Sequence, residues 1–304
     1  MSNNSHSTQK QTKGDAPKVR PHVGAWKNWV GVIPFFLFAF FFILLPSIAL
    51  FAGAFVDNDG KFTFANLVGL IDPSILSAYW VSIRISAVTA LLGGLLGFLM
   101  AYSITIGGLP GWVRSALTTF SGVASNFAGV PLAFAFIATL GRTGLITVLL
   151  KSIFNINLYD QGFSLYSFWG LSLTYIYFQF PLMILIIMPA LEGIKKEWRE
   201  ASENLGANQF QYWWHIVLPI LMPSLLASML LLFGNSFGAY ATALSLTGGF
   251  INLVTIVIGS QIKGDILHNP GLGYALALGM VLVMSVTMSG YYLLKQRSER
   301  WLRK

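Results

Sequence analysis

Few side chains in this sequence could perform acid–base, nucleophilic or metal chemistry, and those few stand apart. There are four histidines (His6, His22, His215 and His268), no cysteine and eleven carboxylates. The histidines are too scattered to form a metal site, no H-E-x-x-H pair occurs, and without thiols there is neither a disulfide framework nor a thiolate ligand. Serine and aspartate show no spacing that would assemble a catalytic triad. A G-x-x-x-x-G-K-[ST] phosphate loop is absent, so energy from ATP would have to enter through another chain. The carboxylates Asp15, Asp57, Asp59, Asp72, Asp160, Glu192, Glu197, Glu200, Glu203, Asp265 and Glu299 all fall in tails, loops or the ends of apolar runs. A carrier driven by protons or sodium ions places ionisable groups at mid-bilayer. None is expected there, which weighs against an enzyme and against an ion-coupled carrier, although a secondary transporter or channel remains the competing class.

The polar residues inside apolar runs are the next candidates. Arg84 lies about two turns inside one run and admits two readings: its stem snorkels to the interface, or it meets a substrate or partner at an outer vestibule. Asn126, Gln179 and Asn235 would each hydrogen-bond a neighbouring helix or line a pathway. Ser236 and Tyr240 stand four apart, so a continuous helix would project both from one face, beside small Gly234, Gly238 and Ala239. That face is a candidate pathway lining. The rings of Tyr175, Tyr177, Phe178 and Tyr240 could offer cation–π contacts to a cationic cargo, or could simply pack.

The densest pattern is the polar stretch 192–219. Trp198, Ala201 or Ser202, and Leu205 recur at helical spacing and predict one apolar face, with Gly206 supplying a left-handed stop. Asn208 can cap a second helix in which Phe210, Trp213, Trp214 and Val217 repeat the spacing. The expected result is a helix-turn-helix knob whose small Ala201 and Ser202, beside Gly206, let another protein's backbone approach closely.

These residues must be positioned by an apolar scaffold. Of 304 residues, 55% are hydrophobic and only 10% charged, which is less than half the usual charged fraction. The chain needs an apolar solvent. A membrane helix takes about 20 mainly apolar residues, and uncharged runs place six near 30–55, 78–104, 114–140, 166–191, 217–245 and 273–295. The fold class is therefore an all-α membrane protein with six transmembrane helices. The apolar segment 250–262 is too short to cross and is expected to be re-entrant or interfacial. Gly107-Gly108-Leu109-Pro110-Gly111 predicts a tight turn that makes the second and third helices antiparallel neighbours. The polar residues 1–28 are expected to be a disordered tail rather than a cleaved signal, 29–295 the transmembrane domain, and 296–304 a basic tail.

The net charge of +8 tracks topology. Fourteen of the 19 Lys and Arg side chains sit in the two tails, at Arg114 or at 195–199, whereas the opposite loops hold only Lys61, Arg142, Lys151 and Lys263. The positive-inside bias puts both termini and the 192–215 loop in the cytoplasm. Nucleic acid is not expected as a partner, because the basic residues follow the membrane ends and do not form a surface with polar or aromatic readers.

The 192–219 stretch resembles the E-A-A-x3-G-x9-I-x-L-P loop of binding-protein-dependent ABC importer permeases of the type I fold. Glu200-Ala201, Gly206, Ile216, Leu218 and Pro219 match in identity and spacing, and Ser202 replaces a frequent alanine with another small residue. The wider likeness runs from about Tyr79 to Tyr291 and includes Gly238 to Ala243. The resemblance implies a non-catalytic subunit of the bacterial inner membrane that forms half of a translocation pathway. It implies as partners two ATPase subunits carrying ATP and Mg, a second homologous permease, and a secreted or periplasmic substrate-binding protein. No cofactor is expected in this chain. Trp198, Glu200, Ala201, Ser202, Leu205, Gly206, Ile216, Leu218 and Pro219 would form the ATPase-coupling surface. The branch most similar carries polyamines (spermidine/putrescine), with aminophosphonate, ferric iron and sulfate as neighbouring cargoes.

Overall fold

The computed structural model describes residues 31–57, 59–263 and 269–302. The expected tail 1–28 lies outside the described residues, as do Asp265, His268, Arg303 and Lys304. Among the described residues the fold is helical, with one isolated bridge between Val56 and Phe62 and no strand. Six helical segments among the described residues are long and apolar enough to cross a membrane: Ile33–Gly53, Pro73–Thr105, Val130–Phe154, Phe168–Glu192, Gln209–Phe237 and Pro270–Gln296.

The described residues up to Ala49 form one unit and those from Leu50 onward a second. Helix α1 (Ile33–Gly53) carries a π-helical turn at Phe40–Leu44, two residues before Pro46. Proline lacks an N–H and its ring crowds the carbonyl four residues back, so a wider turn just ahead of it relieves both problems. Phe35, Phe36, Phe38, Phe41 and Phe42 are all exposed, as suits a helix solvated by acyl chains.

The second unit is built around α2 (Pro73–Thr105) and α6 (Phe168–Glu192). Gly93 and Gly97 bring them together: a Cβ on Gly93 would lie 2.7 Å from Gln179 Cβ, and one on Gly97 would meet the Phe180 carbonyl oxygen. Small residues at such crossings let backbones approach where apolar burial gives no drive. Helix α8 (Gln209–Phe237) lies against α2 and α11 (Pro270–Leu302), and α10 (Val254–Lys263) lies against α11. With 10 residues, α10 is too short to cross, in line with the reading of 250–262.

Three expectations are corrected. The third helix does not run unbroken over 114–140. It divides into α3 (Gly111–Asn126) and α4 (Val130–Leu140), with Gly129 at φ +75° between them and Pro131 opening α4. Helix α5 (Leu145–Phe154) follows, and the apolar stretch of sufficient length is Val130–Phe154. Likewise the fifth helix breaks after Phe237 and resumes as α9 (Ala241–Thr247), while its start moves back to Gln209. Helix α11 (Pro270–Leu302) carries its helical backbone on through the expected basic tail as far as Leu302. The Gly107–Gly111 turn forms with Gly108 at φ +69°, yet α3 packs chiefly on α6 and touches α2 little.

Candidate functional site

The 192–219 stretch folds into α7 (Lys196–Asn204), a tight corner, and the first turns of α8. Glu197 in the first turn of α7 suits the partial positive charge of a helix start, and Arg199 donates to Glu203 at 2.8 Å, one turn on. That bond holds the Arg199 proton more firmly than in a free guanidinium. Both partners are exposed, so the pair orders the helix surface more than it stabilises the fold.

Helix α7 ends in a Schellman arrangement: the Ala207 N–H donates to Ser202 O at 3.0 Å and the Gly206 N–H to Glu203 O at 2.9 Å, with Gly206 at φ +83°. Asn208 then caps the next helix through a reciprocal box with Gln211, the two bonds measuring 2.8 and 2.9 Å. The expected stop and cap are both present. The second short helix is not separate, however. It runs through a π turn at Trp213–Val217 into the rest of α8, and Pro219 follows that turn by two residues as Pro46 does in α1.

The apolar face is split differently from the expectation. Trp198 packs inward on the cluster of Ile187, Leu191 and Leu221, and Ser202 is buried with its hydroxyl donating to Arg199 O at 2.8 Å. Leu205 instead is 88% exposed, because it closes the helix at the corner and points away from the bundle. Trp198, Ala201, Ser202, Leu205 and Ile216 line one groove of about 540 Å³, whose floor is Ile220 and Leu221. Glu200 and Gly206 stand exposed beside it, Leu218 is half-buried and Pro219 exposed. No heavy atom lies within 4 Å of a Cβ built on Gly206, so the corner faces open space.

The five pathway candidates do not converge. Gln179 is fully buried in α6; its Nε2 donates to Leu232 O at 2.8 Å, and its Oε1 has no partner. Ser236 is buried, 2.9 Å from Thr89 Oγ1 of α2. Asn126 is exposed at the end of α3 and bonds Gly122 O at 2.9 Å, while Asn235 is exposed on α8. Tyr240 lies beyond the break in the fifth helix, so the shared face with Ser236 is lost. It borders a cavity of about 810 Å³ with Asp72, Asn252, Gln261 and Lys263. The pentapeptide Gly234-Asn235-Ser236-Phe237-Gly238 spells G-x-S-x-G, but Ser236 is helical and buried against a threonine, not raised on a strand-to-helix turn. Of the four rings considered for a cation, Tyr175 and Phe178 are core residues, and Tyr175 donates to Ala239 O at 2.7 Å. Tyr177 is half-buried between Phe127 and Phe136. Arg84 is exposed, its guanidinium 5.3 Å from the Phe168 ring centroid.

The two helix breaks do meet each other. The Gly129 N–H donates to Thr242 Oγ1 at 2.7 Å, and α4 packs against α9. Spacing could not reveal this bond, which joins residues 113 apart. At the start of α2, Asp72 accepts from the Ser74 N–H at 2.8 Å and hydroxyl at 2.6 Å, which holds its carboxyl below the ordinary value of 3.8. The cap therefore contributes fully above pH 3.8 and is lost as pH falls through the lower folded value.

No group of three or more His, Asp or Glu side chains among the described residues could hold a metal ion. The comparisons with known proteins agree with this transport architecture. A spermidine/putrescine transport system permease protein, PotB, of Haemophilus influenzae is 25% identical over 283 residues, covering 84% of this chain and 90% of that protein. The sulfate transport system permease protein CysT of Escherichia coli is 27% identical, covering 70% of this chain and 72% of its own length. Among solved structures, a bacterial ABC transporter involved in import of the acidic polysaccharide alginate superposes with a TM-score of 0.67 over 90% of this chain and 96% of that one, at 18% identity. That likeness shows the fold. Residues 93–300 match the model of the binding-protein-dependent transport system inner membrane component, more than half of the sequence, and the chain belongs to that family.

Proposed function

We propose that this permease subunit of a bacterial ABC importer couples to its ATPase through the α7–Gly206–α8 corner and carries a polyamine. As a family member it is non-catalytic and resides in the inner membrane, with ATP hydrolysed on a separate subunit. The observation that carries the coupling assignment is the exposed corner at Leu205 and Gly206, anchored from beneath by Trp198. A protruding, rigidly seated corner is what a cleft on another protein can grip and move. Two ATPase subunits with ATP and Mg, a second homologous permease and a periplasmic binding protein complete the proposed assembly. ATPase closure then shifts an inward-open to outward-open equilibrium through contacts that differ between the two states.

For the pathway we favour the paired breaks at Phe127–Gly129 and Gly238–Tyr240. Interrupted helices expose backbone groups only where they face protein or a cavity, so such breaks mark binding regions in transporters. Asn126, Asn235, Tyr177 and Tyr240 border them with accessible polar or aromatic surface, whereas Gln179 and Ser236 hold the helices together. Replacing Tyr240 with alanine is expected to lower the maximal transport rate at least fivefold or change cargo preference, with basal ATPase activity and complex assembly intact. Unchanged transport of labelled cargo in proteoliposomes would remove Tyr240 from the pathway.

The polyamine assignment is supported by the 90% coverage of PotB. Its test is uptake of labelled spermidine in the reconstituted complex with its own binding protein, compared with ferric iron, sulfate and an aminophosphonate. Preference for any of those three would replace polyamine. Orientation is separately testable because the chain has no cysteine. With the 192–215 loop and both termini cytoplasmic, Asn157→Cys should react with a membrane-impermeant maleimide in spheroplasts, while Asn204→Cys should react only after lysis. The opposite pattern would invert the topology.

A further inference from the structure

Beside the coupling corner lies a second cavity, of about 620 Å³, where α2 and α6 end and α3 and α8 begin. Its wall carries four cations, Arg114, Lys195, Lys196 and Arg199, against one carboxylate, Glu192. Arg114 and Glu192 form an ion pair across the cavity, joining the first turn of α3 to the last residue of α6. Glu203, outside the lining, occupies Arg199 Nε. Neither Lys195 nor Lys196 forms an ion pair among the described residues, although the Lys195 ammonium stands 6.0 Å from the Trp198 ring centroid. The cavity thus has cationic surplus that the protein does not neutralise.

Its remaining lining is of a different kind. Tyr102 and Trp213 meet edge to face at 4.8 Å between centroids, and Ile106, Leu191 and Val217 add apolar surface. Between Ile106 and Arg114 the chain exposes Leu109 at 38% and Trp112 at 75%. Aromatic side chains at the end of an apolar span, with basic groups immediately beyond, define the headgroup level of a bilayer. A soluble anion would leave the exposed apolar rim unsatisfied, whereas a phospholipid would cover it with acyl chain while its phosphate enters among the cations. Basic pockets between helices at this level suit anionic headgroups, and the volume falls within the range of small-ligand sites.

We propose that this cavity binds the phosphate headgroup of an anionic phospholipid from the leaflet on the side of the 192–219 loop. Lys195, Lys196 and the free donors of Arg114 and Arg199 contact the phosphate. The lipid thereby bridges the ends of α3 and α6 to the base of α7, holding the coupling segment against the membrane. The site needs only that the chain is embedded in a bilayer, so it stands or falls independently of cargo and of the ATPase contact.

The test is native mass spectrometry of the purified full-length chain titrated with phosphatidylglycerol or phosphatidylcholine. Wild type should retain one phosphatidylglycerol with at least tenfold preference over phosphatidylcholine. The variant carrying Lys195→Gln and Lys196→Gln should bind phosphatidylglycerol about thirtyfold more weakly, from roughly 1 kcal/mol per lost basic side chain. Its phosphatidylcholine binding and elution profile should be unchanged. The Lys196→Gln single variant, which leaves the Lys195–Trp198 contact in place, should show an intermediate loss and guards against misfolding of the double variant. Glycerol 3-phosphate at millimolar concentration separates the two sources of phosphate. Failure to displace the lipid supports a membrane site, and displacement at equal affinity overturns it in favour of a free anion. Equal retention of the two lipids or no loss in the lysine variants would overturn the proposal.

Discussion

Gly97→Leu is expected to abolish accumulation of the folded chain in the membrane. A Cβ at this position would lie 2.5 Å from Met183 Cβ and would strike the Phe180 carbonyl oxygen, which is backbone and cannot rotate aside. Helices α2 and α6, the central pair of the second unit, would have to separate along their contact. Overpacking of this kind costs about 3 kcal/mol or somewhat more when backbone must move. The measurement is the monodisperse fraction in size-exclusion chromatography after mild solubilisation, where we expect less than one tenth of wild type. Gly122→Ala on α3, with no heavy atom within 4 Å of its added Cβ, should elute as wild type. A monodisperse Gly97→Leu protein at normal yield would contradict the close approach of the two helices.

The second large effect concerns coupling. Gly206→Leu should reduce ATPase stimulation by cargo-loaded binding protein at least tenfold while leaving the amount of membrane-inserted chain unchanged. The corner has open space around it, so a side chain meets nothing within this chain. Two causes remain: loss of the left-handed turn at φ +83°, which costs roughly 1–2 kcal/mol for an ordinary L-residue, and a bulky group where the ATPase must close in. Gly206→Asn keeps the turn while testing clearance, because asparagine tolerates the left-handed region yet still adds a side chain. If Gly206→Asn couples normally and Gly206→Leu does not, turn shape or bulk beyond asparagine governs. If both fail, clearance governs. Normal coupling in Gly206→Leu would remove this corner from the ATPase contact.

Much of the scaffold was readable because hydropathy over about 20 residues answers directly to bilayer thickness. The stop at Gly206 and the cap at Asn208 were readable because each depends on local chemistry within a few residues. What was hidden depends on partners distant in sequence. The division at Gly129 is invisible to hydropathy, since residues 127–129 are as apolar as their neighbours, and its anchoring bond comes from Thr242. The same blindness put Ser236 and Tyr240 on one face, when Gly238 ends α8 between them. Leu205 was put on one face with Trp198 from spacing alone, but the helix ends there and the side chain follows the corner outward while Trp198 packs inward. The Arg114–Glu192 pair spans 78 residues and could be foreseen only once α3 was known to lie on α6. Each π turn sits two residues ahead of a proline, Pro46 or Pro219, but sequence would not have singled these out, because Pro181, Pro189 and Pro223 lie inside helices with no π turn two residues ahead of them.

Because the π turn lets the helix pass Pro219 without interruption, the coupling corner and the break at Gly238 are the two ends of a single rod. Its 29 residues span about 43 Å. A tilt of about 5° around the midpoint carries each end through roughly 2 Å, in opposite directions. That displacement is comparable to the side-chain adjustments by which packed interfaces switch between discrete arrangements. If the ATPase grips the corner as proposed, its push would reach the discontinuity at the far end of the helix as plain mechanical advantage, with no relay of intervening side chains to specify or to disrupt.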